Sequence, residues 1–312
     1  MISHRPRIAI IGCGHVGVTC AHALLQSRLC REIVLIDEDH DRVRGEALDL
    51  GQAIPFDTPV KIYAGDYIDA AASEIAILTV GAPGKLLGSR LALLADNVGI
   101  IRSCVSKLMA EGFAGVLLIT TNPVDILTFV AQKESGLPQG KVIGSGTLID
   151  TERLRSLLGE KLHVDARSIH AQVIGEHGDS SVVVWSAAEV AGLPLALYPG
   201  ADALPSREEL LAGVRRAGPE VVALKGNTCF AIAACVVRIC SAIARDERAV
   251  LVVSTLLTGQ YGLREVCLGT PCVIGERGIE IVLELRLDAA EQKSLEASAA
   301  VLRNAYARLP AP

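Results

Sequence analysis

The chain has 312 residues, half of them apolar, and carries 35 Asp and Glu against 30 Lys and Arg for a net charge of −5. Such a length can bury one large α/β core or two ordinary ones, and two domains are expected. The acidic balance argues against nucleic acid or an anionic membrane as partner, since both select basic surfaces, and a small-molecule ligand fits better.

Five short, nearly unbroken apolar runs in the first half read as strands: Arg7–Gly12, Glu32–Asp37, Val60–Ala64, Glu74–Val80 and Gly115–Thr120, with helical patterns between them. Runs that are apolar on both faces belong in a parallel sheet covered on each side, so a Rossmann-type doubly wound α/β fold is expected. Gly12-Cys13-Gly14-His15-Val16-Gly17 follows the first strand and opens a helix. Its glycines permit a tight turn and close approach of backbone to a pyrophosphate, while the helix start supplies free N–H groups and partial positive charge. Asp37 ends the second strand, 20 residues after Gly17. A carboxylate there can accept both ribose hydroxyls and would repel a 2′-phosphate, so NAD is expected over NADP. The plainer alternative is an ordinary strand-to-helix turn with Asp37 capping the next helix. The same glycines interrupt the N-terminal apolar run too early for a signal peptide.

Past Val142 the rhythm changes, and a mixed α+β domain over 146–312 is expected to follow a dinucleotide-binding domain over 1–145. Thr151–Lys161 reads as a helix, Ser168–Ile174 as a strand and Ser181–Ala191 as a helix; Arg207–Ala244 reads as a long helical region kinked at Gly218-Pro219. The Gly- and Pro-bearing tract 192–205 is a loop. Arg248–Val253, Val266–Ile274 and Gly278–Leu285 read as antiparallel strands, and Ala289–Ala307 as an amphipathic closing helix. The most apolar late stretch, Cys229–Leu257, carries Arg238 and the cluster Arg245, Asp246, Glu247 and Arg248, which excludes a simple membrane span. Nine cysteines without a CxxC pair are expected as reduced cytosolic thiols packed like small hydrophobes, and no metal is expected because no ligand spacing occurs.

Two later segments carry chemistry. Gly175-Glu176-His177-Gly178-Asp179-Ser180 sets a histidine between glycines, where the backbone bends sharply and an imidazole of pKa about 6.5 is left facing a cleft. Leu148-Ile149-Asp150-Thr151-Glu152-Arg153-Leu154-Arg155 places an acid and an arginine three residues apart at a helix start. Asp150 could simply cap that helix. If it instead accepts a hydrogen bond from His177, it fixes the tautomer and stabilises the imidazolium. Arg153 would then face the same cleft, where a guanidinium grips a substrate carboxylate through two parallel hydrogen bonds.

These segments, together with GAPGKLLGSRLALLADN at 81–97, TTNPVD at 120–125, IGSGTLIDTERLR at 143–155 and LKGNT at 224–228, make the chain similar to the lactate/malate dehydrogenase family over Ile8 to Leu309. Within that family it resembles the L-lactate branch of the bacterial allosteric type. The resemblance implies reversible hydride transfer between NADH and a 2-keto acid, with His177 as proton donor and acceptor, Asp150 as its orienting acid and Arg153 as carboxylate anchor. It further implies that Arg90 polarises the ketone from a closing loop, Asn122 bonds the substrate oxygen and Thr228 lines the pocket. Gly12, Gly14, Val16, Gly17, Asp37, Arg42, Tyr67, Gly81, Ala82 and Ser145 match cofactor-contacting positions. Arg155 and His170 match the fructose 1,6-bisphosphate site of allosteric members, and a cytoplasmic glycolytic homotetramer is implied.

The chain departs from the family pattern at Gly84, the substrate-reading position, where lactate enzymes usually carry glutamine and malate enzymes arginine. Without a cation there, a second substrate carboxylate lacks its partner, so pyruvate or a larger apolar 2-keto acid is expected rather than oxaloacetate. Leu86 and Leu87 replace the usual Pro-Gly. The alternatives are a malate dehydrogenase-like enzyme and a non-catalytic NAD-binding protein. Against the latter stands the set Arg90, Asn122, Asp150, Arg153 and His177, which mere binding does not require.

Overall fold

The computed structural model describes residues 5–54, 59–82 and 90–309, the side chains of 90–92 excepted. Strand and helix alternate through the first half: β1 (Arg7–Ile11), α1 (His15–Ser27), β2 (Glu32–Ile36), α2 (His40–Gln52), β3 (Lys61–Ala64), α3 (Tyr67–Ala71), β4 (Ile75–Leu78), α4 (Arg90–Ala110), β5 (Val116–Ile119), α5 (Val124–Ser135) and β6 (Val142–Gly144). The six strands are parallel, in the order β3-β2-β1-β4-β5-β6, so the chain reverses direction across the sheet between β1 and β4.

Period-two alternation sorts the side chains onto two faces. Ala9, Ile11, Val34, Ala76, Leu78 and Leu117 pack toward α4, α5 and the last helix; Ile8, Ile10, Ile33, Leu35, Ile77 and Leu118 pack toward α1, α2 and a later apolar helix. At roughly 1.5–3 kcal/mol for each fully buried aliphatic side chain, this two-sided burial holds the strand ends in place, and the strand ends carry the site.

The second half begins with α6 (Leu148–Leu162) and a run of short pieces: β7 (Ile169–His170), β8 (Val173–Ile174), β9 (Val182–Val183), β10 (Glu189–Val190) and β11 (Leu193–Pro194). Two expectations fail here. The strand Ser168–Ile174 is broken into β7 and β8, which belong to different small sheets. The helix Ser181–Ala191 does not form; its β-branched Val182 and Val183 pair with Ile174 and Val173, and a short 3-10 turn at Trp185–Ala187 leads into β10.

The long helical region expected over Arg207–Ala244 is divided into two helices. α7 (Arg207–Lys225) runs on through Gly218 and Pro219, and the break falls at Gly226, which caps it in the left-handed conformation at φ 89° before α8 (Phe230–Ala244) begins. Three long strands, β12 (Ala249–Thr258), β13 (Arg264–Gly275) and β14 (Gly278–Val282), and α9 (Ala289–Ala307) complete the chain. β12 runs five residues beyond the end of the expected Arg248–Val253, and through Ser254 opposite Gly144 it joins β6 antiparallel. The antiparallel strands therefore extend the parallel sheet to nine among the described residues.

All nine cysteines are buried and unpaired by disulfides. Among the described residues no helix is long and apolar enough to cross a membrane, and no group of three or more His, Cys, Asp or Glu is placed to hold a metal ion.

Candidate active site

The carboxyl ends of β1, β4, β5 and β6 lie side by side, so the residues that follow them meet at one edge of the sheet. After β1, Gly12 adopts φ +97°, and a Cβ there would lie 2.7 Å from the Val80 nitrogen. A Cβ on Gly17 would lie 2.0 Å from the Gly12 carbonyl oxygen. Gly14 is different: nothing lies within 4 Å of its Cβ position, so its backbone is open to an approaching ligand. Two glycines thus close the turn and the third leaves it bare, as a pyrophosphate at the start of α1 requires.

Asp37 is not the cap of α2; Asp39 accepts from the Arg42 backbone N–H at 3.0 Å and takes that part. Asp37 instead accepts from the Cys13 N–H at 2.6 Å and the Asp39 N–H at 3.1 Å, which ties the end of β2 to the glycine turn. These residues fit a dinucleotide: an open backbone for its phosphates and a fixed acid for a ribose. Gly81 and Ala82 continue from β4. Ala82 donates to Asn97 Oδ1 at 2.8 Å, and Asn97 Nδ2 donates to the Asn122 carbonyl at 3.0 Å. Asn97, buried on α4, thereby sets the β4 and β5 ends in register. Arg42 points its guanidinium at Glu46, 3.9 Å away, and Tyr67 packs beside α4 with the Lys107 ammonium 5.7 Å from its ring centre. Neither lines the cleft described next.

A cleft of about 580 Å³ is lined by Val16, Asn122, Ser145, Asp150, Arg153, His177 and Thr228, seven of the residues singled out in the sequence. Asn122 precedes Pro123 across a cis peptide bond at the start of α5. Asp150 does not cap α6, a position held by Thr147. Its Oδ2 meets His177 Nδ1 at 2.5 Å while its Oδ1 accepts from the Arg153 guanidinium at 3.1 Å. Thr151 locks the two elements together: its hydroxyl accepts from the Val173 N–H at 3.0 Å, joining α6 to β8 just before the histidine loop. That loop is bridged to the main sheet by reciprocal Gly175 and Gly269 backbone hydrogen bonds.

Burial works to lower the His177 pKa, but the hydrogen bond and negative charge of Asp150 outweigh it, and the imidazole is held above its ordinary value. With Nδ1 committed to Asp150, Nε2 is the nitrogen left to exchange a proton with a ligand.

Sequence reasoning missed one wall of this cleft. Arg215, Gly218, Pro219 and Val222 line it from α7. Their spacing is that of one helix face, a signal hidden by the expected kink at Pro219. Arg215 also donates to the Ser181 carbonyl at 2.7 Å, holding the far end of the histidine loop. Asp179 lines the cleft from within that loop. Gly84, Leu86 and Leu87 lie outside the described residues, and Arg90, first residue of α4, has a side chain outside them. Arg155 and His170 lie apart from the cleft lining: Arg155 pairs with Glu152 at 3.0 Å and donates to the Ala171 carbonyl at 3.1 Å, beside exposed His170 on β7.

Comparison with known proteins agrees with this geometry along nearly the whole chain. Residues 6–144 match the family model for the lactate/malate dehydrogenase NAD binding domain, and residues 147–309 that for the lactate/malate dehydrogenase alpha/beta C-terminal domain. The chain is 43% identical over 303 residues to an L-lactate dehydrogenase of Priestia megaterium, covering 95% of this chain and 94% of the relative. It is 44% identical over 307 residues to that of Thermoanaerobacter pseudethanolicus, covering 97% and 99%. Among solved structures, the minor L-lactate dehydrogenase from Enterococcus mundtii in a ligand-bound form superimposes with a TM-score of 0.93 at 35% identity, covering 99% of both chains. A lactate dehydrogenase from a Medee basin deep-sea metagenome gives 0.91 at 37%, covering 96% and 98%.

Proposed function

The chain belongs to the lactate/malate dehydrogenase family, and on that premise we propose that it is an NAD-dependent L-lactate dehydrogenase, reversibly reducing a 2-keto acid to the L-2-hydroxyacid. One observation carries the reading: His177, paired through Nδ1 with Asp150 at 2.5 Å, shares its cleft and its acid with Arg153.

Bound NADH supplies the hydride, and the chain's own residues do the rest. The open backbone at Gly14 and the acid at Asp37 would hold the dinucleotide, and Val16, Gly81, Ala82, Ser145, Arg42 and Tyr67 would contact it. Arg153 pairs with the substrate carboxylate and fixes which face of the carbonyl is presented. Protonated His177 gives its Nε2 proton to the carbonyl oxygen, and Asp150 stabilises the cation that must exist beforehand. Asn122 and Arg90 bond the same oxygen as charge develops on it, and Thr228 bounds the side-chain end of the pocket.

Gly84 gives no cation to a second carboxylate, so pyruvate or a larger apolar 2-keto acid is the substrate. NADH consumption with pyruvate, 2-ketobutyrate, 2-ketoisocaproate and oxaloacetate tests this; oxaloacetate ahead by about tenfold in kcat/KM, roughly 1.4 kcal/mol, replaces the lactate assignment by a malate one. Fructose 1,6-bisphosphate activates through Arg155 and His170, a reading supported by the Arg155 guanidinium donating to the carbonyl of Ala171, the residue next in the chain to exposed His170; an unchanged pyruvate KM on titration with the bisphosphate removes it. The enzyme works in the cytoplasm, in glycolysis, as a homotetramer, with a cofactor unit over 1–145 and a substrate unit over 146–312.

A further inference from the structure

Asn122 and Asp125 stand three residues apart at the start of α5, and only the first lines the active-site cleft. Asp125 is 2% exposed, yet both of its carboxylate oxygens are in use. Oδ2 accepts the backbone N–H of His177 at 2.7 Å, and Oδ1 accepts the hydroxyl of Ser254 on β12 at 2.6 Å. The histidine is therefore gripped by two acids at two different atoms. Asp150 takes the ring from the cleft side, and Asp125 takes the main chain from behind.

The loop needs such a grip. Gly175, at φ +86°, and Gly178 bracket residue 177 and leave its backbone unusual freedom. The loop's other restraints act elsewhere: Ser298 accepts from the Glu176 N–H at 2.8 Å, and Arg215 holds Ser181. Asp125 alone, among the side chains of the described residues with a hydrogen bond to this loop, binds the main chain of residue 177 itself.

Building on the dehydrogenase reading above, we propose that Asp125, oriented by Ser254, is a positioning residue for proton transfer: its ionised carboxylate fixes the backbone of His177 so that Nε2 meets the substrate oxygen. The ionised form suits the task because it offers acceptors to both donors at once. Protonation turns one oxygen into a donor and removes a negative charge that favours the imidazolium. Burial pushes this carboxyl up to about 6, with the Ser254 and His177 donors acting in the opposite direction. The other groups around it are Glu176 of the loop, Cys267 and Glu265 of β13, and Arg303 and Tyr306 of α9, which share a cavity of about 230 Å³ with Asp125 on the side away from the cleft, Glu176 excepted.

The test begins with wild-type NADH turnover on pyruvate; its absence overturns the dehydrogenase reading together with this one. Given turnover, Asp125→Ala is expected to lower kcat about 10²-fold, as a misplacement near 1 Å does, with pyruvate KM within about twofold. Asp125→Asn keeps an acceptor for the His177 N–H without the charge, and is expected to recover about tenfold of that loss. Its kcat/KM profile for pyruvate reduction should shift to lower pH. Ser254→Ala, which leaves the buried carboxylate one donor short, is expected to lower kcat about tenfold. NMR titration of the His177 ring in the free enzyme reads the same effect without turnover: its midpoint should fall in Asp125→Asn. An unmoved midpoint in Asp125→Asn, or wild-type kcat in Ser254→Ala, overturns the positioning role even where Asp125→Ala does not fold.

Discussion

The turn after β1 is shaped by main chain, whereas the floor of the cleft is shaped by side chains delivered from afar. At the turn, two glycines have no room for a methyl group and a third presents bare backbone, all within six consecutive residues. In the cleft, Asp150 and Arg153 arrive on α6, His177 on the loop after β8, Asn122 ahead of α5 and Arg215 on α7. A main-chain site depends on conformation and is damaged by bulk. A side-chain site depends on convergence and is damaged by the loss of a single partner.

The sharpest way to separate the two regions is to remove the proton donor. His177→Asn should lower kcat for pyruvate reduction by about 10²–10⁴-fold while NADH affinity, read by fluorescence titration, stays unchanged. A matching loss of NADH affinity would mean that the regions are not separable.

Next in size is the stability of the buried acid. The Asp125 carboxyl ionises near 3.8 in the unfolded chain and at about 6 in the folded one. Between those values the folded state binds a proton that the unfolded state has released, so stability falls as pH rises through the window, by up to about 3 kcal/mol. Asp125→Asn lacks this titration. Its melting temperature relative to wild type should climb between pH 4 and 6.5 and then level off; a difference independent of pH would show that the acid is not desolvated as described. The cofactor turn contains no comparable buried charge among the groups discussed, so this cost to stability falls behind the cleft and not at the turn.

Arg153→Lys follows. A point charge in place of a two-pronged donor should raise pyruvate KM by about 10–10²-fold, near 1.5–3 kcal/mol, through loss of one charge-assisted hydrogen bond. Steady-state kinetics at fixed NADH reads this directly. The smallest effect is expected at Asp37→Ala, with NADH affinity falling about tenfold and the margin over NADPH narrowing, because the carboxylate would both bind the ribose hydroxyls and repel a 2′-phosphate. An unchanged ratio of the two affinities would remove Asp37 from cofactor selection.

The same contrast governs how much could be read from sequence. β1, β2, β4 and β5 are apolar on both faces, and their runs stand out even without knowledge of their neighbours. The glycine turn is contiguous and its spacing speaks for itself. Asp150 and Arg153 were legible because a helix start brings them together, and His177 because glycines flank it. Asp125 was not singled out: its role depends on a loop 52 residues away and a strand 129 residues away in sequence, and an acid in the first turn of a helix reads as an ordinary dipole partner. The α7 face escaped for a different reason. A proline inside a helical pattern reads as a kink and not as a wall of a cleft, whereas here Pro219 lies within α7, on the face that lines it, and Gly226 ends the helix. Ser181–Ala191 reads as a helix in isolation, and pairing of Val182 and Val183 with β8 decides it otherwise.

The most direct test of the Asp150–His177 pair as the proton-transfer centre is the pH dependence of kcat/KM for pyruvate reduction in wild type and Asp150→Asn. Because Asp150 holds the imidazole above its ordinary value, reduction in the wild type should decline only as pH rises past about 6.5, and the midpoint should move downward when the acid becomes an amide. Superimposable profiles for the two proteins would contradict the account, since they would show that the proton consumed by the ketone is not governed by this pair.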